Sequence, residues 1–309
     1  MTFIDNASKS ELLVSSRFFP KGFRHLSNPP SQLYVVGSVE LLQSPQIAIV
    51  GARKPTPYGI DCARRFAIRA ASVGITVVSG GAIGCDQAAH KGALEAGGKT
   101  VVVLGCGADV VYPRRAAALF AQIVATGGAL VSEVPWQTPP LRWAFRNRNR
   151  LIAALSQATL IVEAGLPSGT FQTADATLFL GNELFVVPGS INSKESRGSN
   201  RLILQGAAPI VDDESFDDAL RSVFGADIGR FAPVTGAGAD AAHTGEQSAR
   251  APDGLSGQIR AALIAQPMRT EEIAATLSLD VLSAIRQLTA MELDNQVERL
   301  RDGRYAALH

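Results

Sequence analysis

Cysteine is scarce in this chain of 309 residues: Cys62, Cys85 and Cys106 stand far apart, form no CxxC pair, and have no clustered histidines near them. That excludes a structural zinc site of the usual spacing and a disulfide framework, and it predicts a reducing compartment. No apolar run reaches the roughly 18 residues that a membrane span requires, and the opening MTFIDNASKSELL lacks the basic-then-apolar order of a secretory signal. The expectation is a soluble, cytoplasmic protein without a membrane partner. A large charge imbalance is also missing, since the formal net charge is +1. The charge is nevertheless uneven: residues 1–226 hold 21 Lys and Arg against 17 Asp and Glu, whereas residues 255–309 hold 6 against 7. Any site for a polyanion is therefore expected in the larger part.

What the chain does have is alternation. Buried-type strands are predicted in IAIVGAR (47–53), ITVVS (75–79), TVVVLG (100–105), GALVSE (128–133), ATLIVEAG (158–165) and ELFVVPG (183–189), with helical stretches between them. Thr56 and Pro57 open one helix, Gly74 ends it, and Pro113 opens another. This order predicts βαβ crossovers and an α/β fold, an extended Rossmann-like, doubly wound, mostly parallel sheet. Residues 1–46, with prolines at 20, 29 and 30, read as an irregular lead-in, and residues 47–224 as the main domain.

Glycine turns follow the strands at Gly51 to Arg53, Ser79 to Gly84, Gly105 to Gly107, Ser168 to Thr170, and Gly189 to Ser190. In such sheets ligands bind outside the carboxyl ends of the strands. Gly80, Gly81 and Gly84 permit positive φ and close approach of a ligand to the backbone ahead of a helix N-terminus, a place suited to phosphate; the alternative is a tight turn and nothing more. No nucleotide fingerprint is complete. GCGADV lacks the last glycine of GxGxxG, and GGKT at 97–100 precedes a strand and has Ala93 in place of the first glycine of a P-loop. No ATP-binding loop and no cofactor are expected.

Between the fourth and fifth predicted strands, PPLRWAFRNRNRLIAALS sets Arg142, Arg146, Arg148 and Arg150 within nine residues, interleaved with Trp143 and Phe145 and without an acidic neighbour. Arg148 and Arg150 are expected where the helix LIAALS begins, so that their charge opposes its dipole and calls for a bound anion. Arginine forks fit phosphate, Asn149 adds a donor, and aromatic rings stack on bases.

IVGAR, SGGAIGCDQAAHKGAL, VVVLGCGADVVYP, LVSE, FRNRNRLIAALS, IVEAGLPSGTFQTA, VVPG and SRGSNRLILQGA, in this order, resemble DNA-processing protein A, the DprA or Smf family, over roughly residues 18–214. The resemblance implies a protein that binds single-stranded DNA in a positively charged pocket, forms a homodimer, protects incoming DNA and loads the recombinase RecA in natural transformation, on DNA coated by single-strand binding protein. By position in the motifs it implies DNA or phosphate contacts for Arg53, Gly80, Gly81, Gly84, Arg146, Arg148, Asn149, Arg150, Ser168, Gly169 and Thr170, and a dimer surface around 198–224. Three differences stand out. SGGAIGCD replaces the family's usual SGLARGID, Phe19-Pro20 replaces Tyr-Pro, and few residues precede Phe19, so the N-terminal helical domain of many relatives is expected to be missing.

Residues 225–254 are rich in Gly, Ala and Pro without apolar periodicity and read as a flexible linker. After it, residues 255–309 predict three helices, one capped by Thr270, and a hairpin turning at Asp302-Gly303, together a winged helix. Its small negative balance favours a partner-docking role over strong duplex binding. A nucleotide-binding protein or an enzyme of the phosphoribohydrolase class, with a similar sheet, is the alternative. Thr173 stands where that class has its catalytic glutamate, which leaves Glu133, Glu163, Cys106 and the Asp86/His90 spacing as candidate chemistry, none with an evident partner. No catalytic residue and no metal ligand is assigned.

Overall fold

The computed structural model describes residues 7–225, 228, 255–277, 279–294, 296–300 and 302–308. The larger unit carries β1 (Lys9–Leu13), β2 (Gln32–Gly37), β3 (Gln46–Val50), β4 (Thr76–Ser79), β5 (Thr100–Val103), β6 (Ala129–Ser132), β7 (Ala158–Ile161), β8 (Glu183–Val186) and β9 (Ala208–Pro209). Between and after them lie α1 (Pro57–Ser72), α2 (Cys85–Glu95), α3 (Ala117–Ala125), α4 (Arg142–Leu155), α5 (Thr170–Phe179), α6 (Arg197–Leu204) and α7 (Asp213–Phe224). The sheet order is β1-β2-β6-β5-β4-β3-β7-β8-β9, parallel from β6 to β9 and antiparallel at β1–β2 and β2–β6. The fold is thus the mostly parallel, Rossmann-like sheet that the alternation predicts.

The continuous apolar runs have a direct cause. Every residue of β4, β5 and β7 is buried, because helices cover both faces. Alternate side chains then serve separate cores: Val101 and Val103 join Leu151 and Ile152 of α4, while Val102 and Leu104 join Phe120 and Ile123 of α3. Thr56 caps α1, its hydroxyl accepting from Gly59 N–H at 3.2 Å. Pro113 opens a short 3-10 turn at Arg114–Ala116, and α3 proper starts at Ala117.

Residues 9–37 depart from the irregular lead-in that the prolines suggest. Leu33, Val35 and Val36 of β2 are fully buried, and the strand pairs with β6 from Tyr34↔Ser132 to Gly37↔Ala129, with β1 added outside it. The alternation in β1 and β2 is interrupted by exposed and half-buried positions, the pattern of an edge hairpin, and so it is faint in the sequence.

Chain direction fixes which loops share the carboxyl edge of the sheet. From β3 the chain steps outward through β4, β5 and β6; α4 then carries it back across β5, β4 and β3 to β7 on the other side of β3. The loops after β3 and β7 diverge there, at a topological switch point. Because β6 ends at the carboxyl edge and β7 begins at the amino edge, the first half of α4 lies at the carboxyl edge, over the glycine turns.

The second unit holds α8 (Leu255–Ala265), α9 (Thr270–Thr276), α10 (Val281–Leu293), β10 (Val297–Arg299) and β11 (Tyr305–Ala307) around Ile259, Leu263, Ile273, Leu288 and Met291. It is a winged helix, and the hairpin turns at Asp302-Gly303, where Gly303 has φ 85°. Thr270 is the first helical residue and not the cap: Arg269 occupies that place, its N–H donating to Glu272 at 2.6 Å, since the acidic first turn binds the preceding amide. The predicted linker, 225–254, lies outside the described residues except for Gly225 and Ile228.

Candidate nucleic-acid interface

The turns at the ends of β3, β4, β5, β7 and β8 all lie along the carboxyl edge, because these strands are parallel. The turns after β3 and β4 are tied together. Cys85 N–H donates to Ala52 O at 3.2 Å, and Gly84, with φ 99°, presses against the Ala52–Arg53 backbone so closely that a Cβ has no room. Gly81 packs on Val102 and Phe120 beneath the turn, and Ile83 at its tip is exposed. Arg53 projects from the neighbouring turn and is exposed.

Gly80 is the seat of Arg148. A side chain at position 80 would overlap the guanidinium, which lies against the bare backbone and leaves Arg148 only 3 % exposed. Burial lowers the Arg148 pKa, Asp86 opposes that shift, and Arg53 adds to it. Arg148 Nε has no hydrogen-bond partner among the described residues. On the other side, the guanidinium carbon stands 5.8 Å from the centre of the Phe145 ring, which itself rests on Gly105 and meets Tyr112 at 5.2 Å. One ring, Phe145, thus lies beside the buried cation, and Tyr112, which meets that ring, is exposed, as is Trp143 in the first turn of α4. Neither the contact of Tyr112 with Phe145 nor the seating of Phe145 on Gly105 follows from the motif alone; the signal in the sequence is the Gly105 to Gly107 turn after β5.

Two expectations about the arginines are corrected. Since α4 starts at Arg142, Arg148 and Arg150 lie in its second and third turns, and their charge does not oppose the helix dipole at its origin. Nor are they without acidic neighbours: Arg150 Nη2 pairs with Glu133 Oε2 at 2.5 Å, a contact between α4 and the end of β6 that linear proximity could not reveal. Arg150 Nη1 is buried and has no partner among the described residues. Arg146 is exposed on α4. Asn149 reaches Gly169 O and Gln172 Oε1, both at 3.4 Å, and so joins α4 to the turn after β7. There Ser168 Oγ donates to Thr170 Oγ1 at 2.9 Å and accepts from Thr170 N–H at 3.2 Å, at the start of α5. Gly169, with φ −67° and open space around it, is not required sterically.

The structure therefore brings Arg53, Gly80, Gly81, Gly84 and Arg148 together, places Asn149 beside Gly169, and turns Arg150 toward Glu133. The candidate chemical groups are engaged elsewhere. His90 Nδ1 bonds Thr100 at 2.6 Å and Asp86 accepts from Ala82 N–H at 3.2 Å, so the two do not pair. Burial pushes the Cys106 thiol up to about 11, far from a nucleophile's range. Glu163 is buried at the end of β7. No group of three or more possible metal ligands occurs among the described residues.

A sequence profile of the family DNA recombination-mediator protein A matches residues 11–223, and one of the DprA winged helix domain matches residues 243–303. Protein Smf of Escherichia coli is 41% identical over 208 residues, 67% of this chain and 56% of that protein. The putative DNA processing protein DprA of Mycobacterium tuberculosis (strain CDC 1551 / Oshkosh) is 35% identical over 290 residues, 92% of this chain and 70% of that protein. Among solved structures, DNA processing protein A from Helicobacter pylori, described as having a unique single-stranded DNA binding mode, superposes with a TM-score of 0.64 at 34% identity, over 72% of this chain and 100% of that one. The chain spans little more than half the length of the Escherichia coli and Synechocystis relatives. A family match that covers most of the Rossmann-like unit, joined to the same winged-helix type, identifies the chain as a member of the DNA recombination-mediator protein A family, the DprA and Smf proteins.

Proposed function

We propose that this chain is a DNA-processing protein that binds single-stranded DNA along the carboxyl edge of its sheet, with Arg53, Arg148 and Arg150 on phosphates and the rings of Phe145, Tyr112 and Trp143 against bases. The observation that carries this reading is the seat of Arg148: a buried cation held at the switch point against a residue without a side chain, its Nε unpartnered among the described residues and the Phe145 ring beside it. A charge so placed serves an anion better than it serves the core, since burial without a full set of partners is costly. The single-stranded DNA binding of the Helicobacter pylori relative supports the same ligand. Gly80, Gly81, Gly84 and Arg146, with Asn149 and the Ser168–Thr170 turn, complete the pocket.

The protein acts in the cytoplasm as a homodimer that protects incoming DNA and loads RecA onto strands coated by single-strand binding protein, without consuming ATP. Support for the dimer comes from the far edge of the sheet. Both residues of β9 are exposed, as are Phe179, Leu204 and Val211, at 68%, 88% and 67%. An open strand edge with apolar residues near it suits pairing with a second copy. The role is non-catalytic: Thr173 is buried where a phosphoribohydrolase needs its acid, and Cys106 is held as a thiol. No helix among the described residues is long and apolar enough to cross a membrane.

The test compares the parent with Arg53→Ala, Arg148→Ala and Arg150→Ala for binding to single-stranded DNA, duplex and mononucleotide at several salt concentrations. Each variant is expected to bind the single strand more weakly, with the salt slope reduced by roughly 0.7. Unchanged affinity and slope in all three refute the assignment. Loading is checked by following RecA filament growth on coated DNA; a monomer, or no acceleration despite tight binding, removes that part.

A further inference from the structure

Asp86 sits in the first turn of α2, is 7 % exposed, and its carboxylate accepts from Ala82 N–H, inside the glycine turn whose other end, Gly80, is the seat of Arg148. The turn is therefore clamped between a buried anion and a buried cation. Burial raises the Asp86 pKa, and Arg148 is the foremost group acting against that rise; Asp86 in turn is the foremost group that opposes the effect of burial on Arg148. They do not form a direct salt bridge, so the attraction acts through the turn. One helical turn on, His90 cannot replace Asp86 as counter-charge. The Thr100 hydroxyl donates to Val77 O at 2.7 Å and so accepts from His90 Nδ1–H, which leaves Nε2 as a bare lone pair, buried and without a partner among the described residues. Arg53 and Cys106 are the other titratable groups in the field of Arg148, and neither brings a resident negative charge. Among the described residues, Asp86 is thus the one acidic side chain that acts on this guanidinium from the buried side.

We propose that Asp86 is a positioning residue for the nucleic-acid site: its carboxylate holds the Arg148 guanidinium seated beneath Gly80, so that the free edge of the fork faces the carboxyl rim and meets a DNA phosphate there. The inference rests on the reading of Arg148 as a phosphate contact. Without the carboxylate, a buried guanidinium has no compensating charge and leaves the seat for solvent. A simpler role, in which Asp86 only closes the turn through Ala82, makes a different prediction. Asparagine keeps a carbonyl oxygen for Ala82 N–H and removes only the charge.

The experiment uses the full chain as the parent, Asp86→Asn, Arg148→Gln and the double variant, each measured for stability and for affinity toward a fluorescent oligothymidylate at several salt concentrations. Asp86→Asn is expected to bind about tenfold more weakly with a salt slope lower by roughly 0.7, matching Arg148→Gln, because the same phosphate contact is lost. The double variant is expected to bind no more weakly than Arg148→Gln and to be more stable than Asp86→Asn, since it removes the uncompensated cation. Parental affinity and slope in Asp86→Asn, or losses that multiply in the double variant, overturn the inference. If Asp86→Asn fails to fold, a folded double variant supports the coupling and an unfolded one overturns it. An Arg148→Gln variant with parental binding overturns the reading of the site itself, a result distinct from failure at Asp86 alone.

Discussion

Acidification reports on the same buried cluster. His90 is fully buried, and burial, with Arg148 acting in the same sense, lowers its pKa from 6.5 to about 3. In the unfolded chain the imidazole takes up a proton near pH 6.5, while in the folded protein it stays neutral, so the unfolded state binds more protons across this window. The contribution is therefore fully present above pH 6.5 and is lost as the pH falls toward 3. At 1.36 kcal/mol per pH unit, lowering the pH from 7 to 5 takes away about 2 kcal/mol through this one group. Asp86 works in the opposite sense, because its raised pKa lets the folded state take up a proton first on acidification. A comparison that leaves Asp86 in place isolates the histidine. Urea unfolding of the parent and of His90→Gln at pH 7, 6 and 5, followed by tryptophan fluorescence, makes that comparison. Both tryptophans, Trp136 and Trp143, are in the Rossmann-like unit, so the signal reports that unit alone. The parent is expected to lose about 2 kcal/mol more than the variant between pH 7 and 5. Parallel curves would refute the buried, neutral histidine.

Gly80→Ala drives a methyl group into the Arg148 guanidinium and is expected to cost about 1–3 kcal/mol and weaken DNA binding, whereas Gly169→Ala, in open space with helical φ, is expected to change stability by less than about 0.5 kcal/mol; thermal melts and titrations of both check this. A chain ending at Phe224, the last residue of α7, is expected to fold and to retain most of its single-strand affinity, which circular dichroism and a titration measure; aggregation would show that the proposed boundary cuts into the unit.

The parallel strands were legible because burial on both faces leaves an unbroken apolar run such as TVVV, and the glycine turns at their ends mark the carboxyl edge of the sheet without any structure. The edge hairpin was not, because β1 and β2 have one face open and carry polar residues there. The arginines were identified as a cluster but not by role. Arg150 meets Glu133 across seventeen residues, and Arg148 meets Gly80 across sixty-eight, contacts that only the path of α4 over the sheet creates. The position of Arg148 and Arg150 within α4 was hidden for a related reason. Periodicity made LIAALS visible as a helix, yet the polar turns before it, RWAFRNRN, belong to the same helix, and one stripe of them, Ala144 and Arg148, faces inward.

The pairing of β2 with β6 also sets an order of events during synthesis. Tyr34 and Ser132 are partners in the register, roughly a hundred residues apart, and β3 waits as long for β7, since Ile47 pairs with Ala158. At about 5–20 residues per second, the N-terminal hairpin leaves the ribosome some 5–20 s before the strand that covers its inner edge. During that interval β2 presents an unpaired row of amides and carbonyls beside Leu33 and Val35, a surface open to pairing with other chains. A stretch exposed to misassembly in a nascent chain is thus the edge that the finished sheet closes late.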